Sequence, residues 1–389
     1  MARDAISCPQ QAWSPPAPLL TPSESRPPVA RSPAVVADTR NLYVVGNDLP
    51  FNDQPVRVGG TFTAWRVGYG SIGAPTSDLV FVSPKATLDA TGRLHVLWAE
   101  PPTHEQIIAP YQWLLLRTSS IWTAVYEPRH GWSPPARIYS GPIDWNRLTS
   151  DAITGVAHNE SLTAIPNEAG GVLVLSLRDG QWSVTAIPGR TQPAYVSVLG
   201  LGDRRLLAVV TADTTQQQDR NSVFLYSQDG NAPWRPLTQV QRSGMQAAME
   251  IRLLKERGGR VHLVWRQMIR EDYFVIRHMQ SDDEGASFSE ASDLVPGGLI
   301  QNVQAAVDTC GRLHVVYEDW SERSMNAVRI GYANWAGRWS MPQRLHRAYT
   351  AGELALASRS DDTLLLAFLG TTGKATDRDG WAMMYSELR

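Results

Sequence analysis

Four polar segments of the 389-residue chain gather carboxylates, arginines, histidines and tryptophans: Glu100–Thr118, Gly141–Glu160, Arg266–Asp272 and Glu318–Asn326. Carboxylates and guanidinium groups make planar, charge-assisted hydrogen bonds, and an exposed indole offers a flat apolar face to a sugar ring. Trp145, Arg147, Asn159, Arg266, Arg270, Asp272, Asp319, Trp320 and His104 are therefore candidate ligand-binding residues, and an acidic glycan would suit the arginines. Cleavage of a glycan by general acid–base chemistry needs a pair of carboxylates, or a histidine beside a charge-neutralising arginine. His158, Glu318 and Glu100 are the candidate catalytic groups on that basis.

Other chemistries find less support. His95, His262 and His314 recur at one point of a Gly-Arg-x-His segment. Equivalent positions of a repeat are spread around a molecule, so this recurrence points to shared packing and not to a metal site. The chain has no paired Cys or His at ligand spacing, no phosphate-cradling Gly loop and no Gly-x-Ser-x-Gly elbow, so no metal and no cofactor is expected. Lys+Arg 36 against Asp+Glu 38 leaves no global field to attract nucleic acid or an anionic membrane. No run of about 18 apolar residues is present, so no membrane insertion is expected. Cys8 and Cys310, the only cysteines, form no framework of spacings; closure of the repeats described below would place their segments side by side, which makes a disulfide conceivable, but two free thiols are the expectation. The opening MARDAISCPQQAWSPPAP lacks the features of a secretory signal, which leaves a cytoplasmic protein or a secreted one whose leader has gone.

The elements that must position these residues are legible as repeats. One register is an Asp/Gly turn leading into an alternating strand: DATGRLHVLW from Asp89, RGGRVHLVW from Arg257 and DTCGRLHVVY from Asp308. Weaker copies begin at Asp38, Glu168, Gly202 and Ser360. Asp and Gly tolerate left-handed backbone at such turns, and the β-branched run suits a strand buried between sheets. The second register sets an aromatic before a Pro-tolerant edge strand, at Trp132, Trp182, Trp234, Phe288 and Trp339. Its spacings are 50, 52, 54 and 51 residues. QAAMEIRLLKER from Gln246 is rich in helix formers, yet the alternation of Met249, Ile251 and Leu253 reads as a strand.

A sixth aromatic copy, AWSPPAPLL around Trp13, opens the chain with no strand before it, while the last strand, WAMMYSELR, has no edge partner after it. Joining them completes one four-stranded unit from both ends of the chain. The reading is an all-β, seven-bladed β-propeller, with six or eight blades as the alternatives, closed by residues 11–21. The blades run 31–84, 85–140, 157–190, 194–240, 247–295, 302–346 and 352–389, the first of them without an aromatic anchor.

Ser281-Asp282-Asp283-Glu284-Gly285-Ala286-Ser287-Phe288 matches S-x-D-x-G-x-x-[FW] and resembles the Asp-box, or BNR repeat, of the sialidase-like β-propellers. Ser227-Gln228-Asp229-Gly230 with Trp234 is a second, degenerate copy. The resemblance implies a hairpin turn between third and fourth strands, with Asp accepting turn hydrogen bonds. Sialidases of this superfamily also carry an arginine trio opening in a Phe-Arg-Ile-Pro-like segment; the chain has none, so sialidase activity is not implied. His158-Asn159 before SLTAIPNEAGGVLVLS is similar to a His-Asn step in some propeller polysaccharide lyases, which implies a general base at the channel mouth. Two functions follow: recognition of an acidic carbohydrate, extending to lyase or hydrolase action, and a non-catalytic scaffold with a protein ligand. The sequence says nothing of oligomeric state.

Overall fold

A computed structural model describes residues 11–18, 30–37, 42–48, 61–66, 70–73, 75, 84–89, 91–99, 118–143, 154–155, 160–167, 170–187, 192–213, 222–241, 247–324, 327–349, 354–359, 363–371 and 381–389. All regular structure among them is β-strand, and no helix there is long and apolar enough to cross a membrane.

The strands form successive antiparallel meanders. The first holds β2 (Ala30–Ala37), β3 (Leu42–Asp48), β4 (Thr61–Arg66) and β5 (Gly70–Gly73). The second holds β6 (Lys85–Leu88), β7 (Leu94–Ala99), β8 (Thr118–Glu127) and β10 (Ala136–Ile143), with the short β9 (Gly131–Trp132) against β8. The third is β11 (Thr154–Gly155), β12 (Glu160–Pro166), β13 (Val172–Arg178) and β14 (Gln181–Ile187). The fourth is β15 (Gln192–Leu201), β16 (Arg204–Asp213), β17 (Val223–Asp229) and β18 (Arg235–Gln241). The fifth is β19 (Ala248–Lys255), β20 (Val261–Arg270), β21 (Tyr273–Ser281) and β22 (Ser292–Gly298). Then come β23 (Ile300–Val307), β24 (Leu313–Ser324), β25 (Ala327–Trp335) and β26 (Gln343–Tyr349), followed by β27 (Leu354–Ser358), β28 (Leu364–Thr371) and β29 (Trp381–Leu388). A single pairing, Ala348 with Gly370, links these last two meanders.

The seventh meander takes its outermost strand from the head of the chain. β1 (Ala17–Pro18) pairs with β29, Ala17 opposite Tyr385, and Trp13 bridges to Leu388. Ser14 N donates to the Glu387 carbonyl at 2.7 Å, and Ser386 Oγ donates to the Ser14 carbonyl at 2.7 Å.

Burial explains the strand order. β7 is buried along its whole length, as a strand must be when both its faces meet other sheets, whereas edge strand β14 alternates between exposed and half-buried. Hydrophobic cores lie between each meander and the next, and one more, built of Val35, Leu42, Val44, Ala355, Leu365, Ala367 and Met383, lies between the seventh and the first. The repeated aromatics each enter a different core: Trp132, Trp182, Trp234, Phe288, Trp339 and Trp13 pack on the preceding meander.

The Gly-Arg-x-His segments form one device. Asp89 accepts from Arg93 Nε at 2.7 Å and lies 3.0 Å from His95 Nε2; Asp308 does the same with Arg312 and His314 at 2.7 and 3.0 Å. Glu256 takes their place in the fifth meander, 2.8 Å from His262 Nε2 and 3.4 Å from Arg260 Nη1. Nδ1 of His262 lies 2.8 Å from His278 Nε2, and the His278 ring packs against Trp335 and Trp339. The 281–288 hairpin is tied from within: Asp283 accepts Ser287 N at 2.8 Å and Ser281 Oγ at 2.7 Å, and Ser281 Oγ also takes Gly285 N at 2.7 Å. The hydrogen bonds from Ser287 and Ser281 hold the Asp283 carboxyl down to about 2.

The strand expected in the Gln246 segment is β19, which begins at Ala248. Two other expectations need correction. The copy at Glu168 is displaced by one strand: its turn joins β12 to β13, the second and third strands of the third meander, because Gly170 and Gly171 at φ 94° and 92° make a tight turn of the same appearance. Cys310 is disulfide-bonded and not a free thiol, while Cys8 lies outside the described residues.

Two outcomes follow. Trp13→Ala should lower unfolding free energy by about 2–3 kcal/mol in chemical denaturation, since a large aromatic leaves the sixth core, and Trp13→Phe should lose much less. Stability should also fall on acidification. Burial, aided by the His262 and Arg260 charges, holds His278 at about 3, and burial lowers His95 and His314 against the pull of their carboxylates. The unfolded chain then takes up protons near its ordinary histidine pKa, about 6.5, before the native state does, so stability is complete above that pH and falls below it. Melting temperatures from pH 8 to pH 4 should decline, and more shallowly in His278→Gln.

Candidate functional site

At the end of the sheets where second strands turn into third, a rigid scaffold can hold variable side chains. Among the described candidates, this end presents three groups, on β20, on the β20–β21 turn and on β24.

Arg266, near the end of β20, is a clasp between the fifth and sixth meanders. It is buried, donating from Nη1 to the Ile300 carbonyl at 2.5 Å and from Nη2 to Glu250 at 3.1 Å, with its guanidinium 4.7 Å from the Phe274 ring centre. Glu250 in turn accepts the backbone N–H of Val303 at 2.9 Å and of Asn302 at 3.3 Å. Glu250 and Asn302 are equivalent bulge positions, 52 residues apart in β19 and β23, and both are left-handed, at φ 52° and 51°. Non-glycine residues hold this conformation only where their surroundings fix it. Sequence reasoning missed Glu250; its signal was the repeat spacing to an Asn, a residue that tolerates positive φ.

Arg270 and Asp272 occupy the turn itself. Both are exposed, Asp272 is left-handed at φ 55°, and the Arg270 guanidinium lies 5.1 Å from the Tyr273 ring centre. This cation–π contact orients a charged group that solvent still reaches. Tyr273 was also absent from the sequence reading.

Glu318, Asp319 and Trp320 follow one another on β24. Glu318 is wholly buried and accepts Trp320 Nε1 at 2.9 Å. Trp320 donates its backbone N–H to Leu299 at 2.9 Å and packs at the rim of the sixth core. Half-buried Asp319 accepts the Ser321 N–H at 3.0 Å. Burial, with the Asp319 charge adding, pushes the Tyr317 phenol up to about 12. Gly331 meets the Tyr317 ring so closely that no Cβ would fit there. Glu100, His104, Trp145, Arg147, His158 and Asn159 lie outside the described residues. Among the described residues no three of His, Cys, Asp and Glu are grouped to hold a metal ion.

No family model matches the chain, and no curated protein does. Solved structures do. The chain is similar to a polysaccharide lyase, an ulvan lyase bound to -[GlcA(1-4)Rha3S]-, at 9% identity and a TM-score of 0.55, covering 92% of this chain and 94% of that one. A protein of unknown function from Dyadobacter fermentans matches at 14% identity and a TM-score of 0.50, over 79% of this chain and 93% of that one. A fungal alcohol oxidase of the AA5 family, in complex with copper, matches at 12% identity and a TM-score of 0.51, over 97% and 76%. At these identities the likeness is one of fold, all-β and propeller-like.

The clasp yields a stability test. Arg266→Met leaves Glu250 buried without its guanidinium and should cost about 3 kcal/mol in denaturant unfolding, as should Glu250→Met in reverse. The double substitution should recover part of the loss, which a double-mutant cycle measures.

Proposed function

We propose that the chain is a seven-bladed β-propeller, closed by residues 11–21, that recognises acidic carbohydrate at its channel mouth. The ring count rests on one hydrophobic core between each pair of successive meanders and a last core between the seventh and the first. Blade limits follow the sequence reading, with the third beginning at Thr154 because β11 is its first strand.

One observation carries the ligand: Arg270 is exposed yet held over Tyr273, so its charge faces outward in a fixed orientation beside an aromatic ring. A carboxylate or sulfate can pair with such a guanidinium through two parallel hydrogen bonds. Asp272, Asp319 and Trp320 supply acceptors and an apolar surface for the sugar. Glu318 acts here by holding Trp320, and Arg266 by fixing the two blades. Similarity to a lyase that binds a glucuronate-containing polymer agrees with this reading. If the protein cleaves its ligand, the reacting groups in this reading are His158 and Glu100.

An array of uronate-bearing and sulfated polysaccharides, with a parallel turnover assay, tests it. Wild type should bind an acidic polymer, and Arg270→Ala and Trp320→Ala should each weaken binding about tenfold, equivalent to about 1.4 kcal/mol. Unchanged affinity in both variants, or a silent array beside one stoichiometric protein partner, would overturn the reading and favour an interaction scaffold.

A further inference from the structure

The opposite end of the sheets, where first strands turn into second strands and third into fourth, holds a polar cleft of about 220 Å³ between the third and fourth meanders. Its floor comes from the two-residue period of the strands. On one face of the third meander, Val172 and Val174 enter the core against the fourth, and the same face continues outward as Ser176 and Arg178. Ser183 and Thr185 stand beside them on β14, opposite Ser176 and Val174. The far wall is Arg205, Gln228, Asn231 and Trp234.

At three other interfaces the corresponding end is filled by rings: His95 meets Trp182 at 6.4 Å between ring centres, His278 meets Trp339 at 5.7 Å, and Tyr332 meets Trp13 at 5.5 Å. Here a carboxylate stands in place of a ring. Glu160, 3% exposed, accepts Arg205 Nη2 at 2.6 Å and Ser176 Oγ, while Arg205 Nη1 donates to Gln228 Oε1 at 2.9 Å. Arg205 is thereby committed. Arg178 is not: its side chain is 60% exposed, and its guanidinium reaches Glu160 only at 3.8 Å. Two guanidinium groups against one carboxylate leave the cleft positive. A buried charged group must be matched to persist, and the matching here leaves the second arginine facing the opening.

We propose that this cleft binds one ring of a sugar acid. The carboxylate of the ligand pairs with Arg178, its hydroxyls meet Ser183, Thr185 and Asn231, and the ring lies against Trp234. This site is separate from the channel mouth and stands or falls without it.

The test uses D-glucuronate and D-glucose as probes, by saturation-transfer NMR and titration calorimetry on the full chain. Glucuronate should bind, and glucose at least about tenfold more weakly, because only the former can engage the guanidinium. Arg178→Gln, at an exposed side chain that leaves the Glu160–Arg205 pair intact, should weaken glucuronate about tenfold. Asn231→Ala, also exposed, should weaken it several-fold, and both substitutions are read in an Arg270→Ala background so that the other end of the sheets does not contribute. The proposal is overturned if glucuronate does not bind, if glucose binds as tightly, or if Arg178→Gln and Asn231→Ala bind as wild type does.

Discussion

In the second, fifth and sixth meanders a carboxylate at the turn between first and second strands ties that turn to a buried imidazole. Flat sheets packed face to face leave polar turn ends in apolar surroundings, and an unmatched acid there would be costly. Burial alone would raise Asp89, yet hydrogen bonds from Thr91, His95 and Arg93 outweigh it and hold the group ionised far below the usual range; Asp308 is lowered in the same way by His314 and Arg312. The acid orients an imidazole, and at His95 that ring meets Trp182 of the next blade. Local turn chemistry is thus converted into packing between successive meanders, as again where His278, against His262, meets Trp339 and where Tyr332, against His314, meets Trp13.

Such a scaffold separates strength from recognition. The residues that lock blades together are buried and paired, while an exposed turn tip such as that of Arg270–Asp272 can differ from blade to blade. Non-glycine residues in left-handed conformation fall into both classes: Glu250 and Asn302 sit in the interlocked inner strands, whereas Asp272 and Glu284 sit at exposed turn tips. In the inner strands the strain is held by the Glu250 hydrogen bonds to the following blade.

How much of this was legible depended on whether a contact is local in sequence. The Asp89, Asp308 and Asp283 turns are closed by partners within six residues, so their residue types announce them. The aromatics that enter the cores were legible because each recurs at one position of the repeat, and the missing anchor of the first blade was visible as a gap. Where two turns share the same chemistry, the register slipped, as at Gly170–Gly171. Contacts made by the packing of one blade on the next left no such trace. Glu160 and Arg205 are 45 residues apart, Glu250 and Val303 are 53, and nothing in either segment alone marks the pairing.

The arginines show what packing adds to a residue type. Read as letters, Arg266 and Arg270 are equivalent candidates for an anion. In the folded chain Arg266 is occupied by Glu250, the Ile300 carbonyl and the Phe274 face, so removing it from these to meet a ligand would expose a buried carboxylate. Arg270 has a ring beneath it and solvent above. Between the third and fourth blades the same division recurs, with Arg205 held by Glu160 and Gln228 and Arg178 left outward. At both ends of the sheets, therefore, one arginine committed to a buried acid fixes the geometry and a neighbouring exposed one retains charge for a partner, because a guanidinium that must satisfy a buried acid cannot also be spent on recognition.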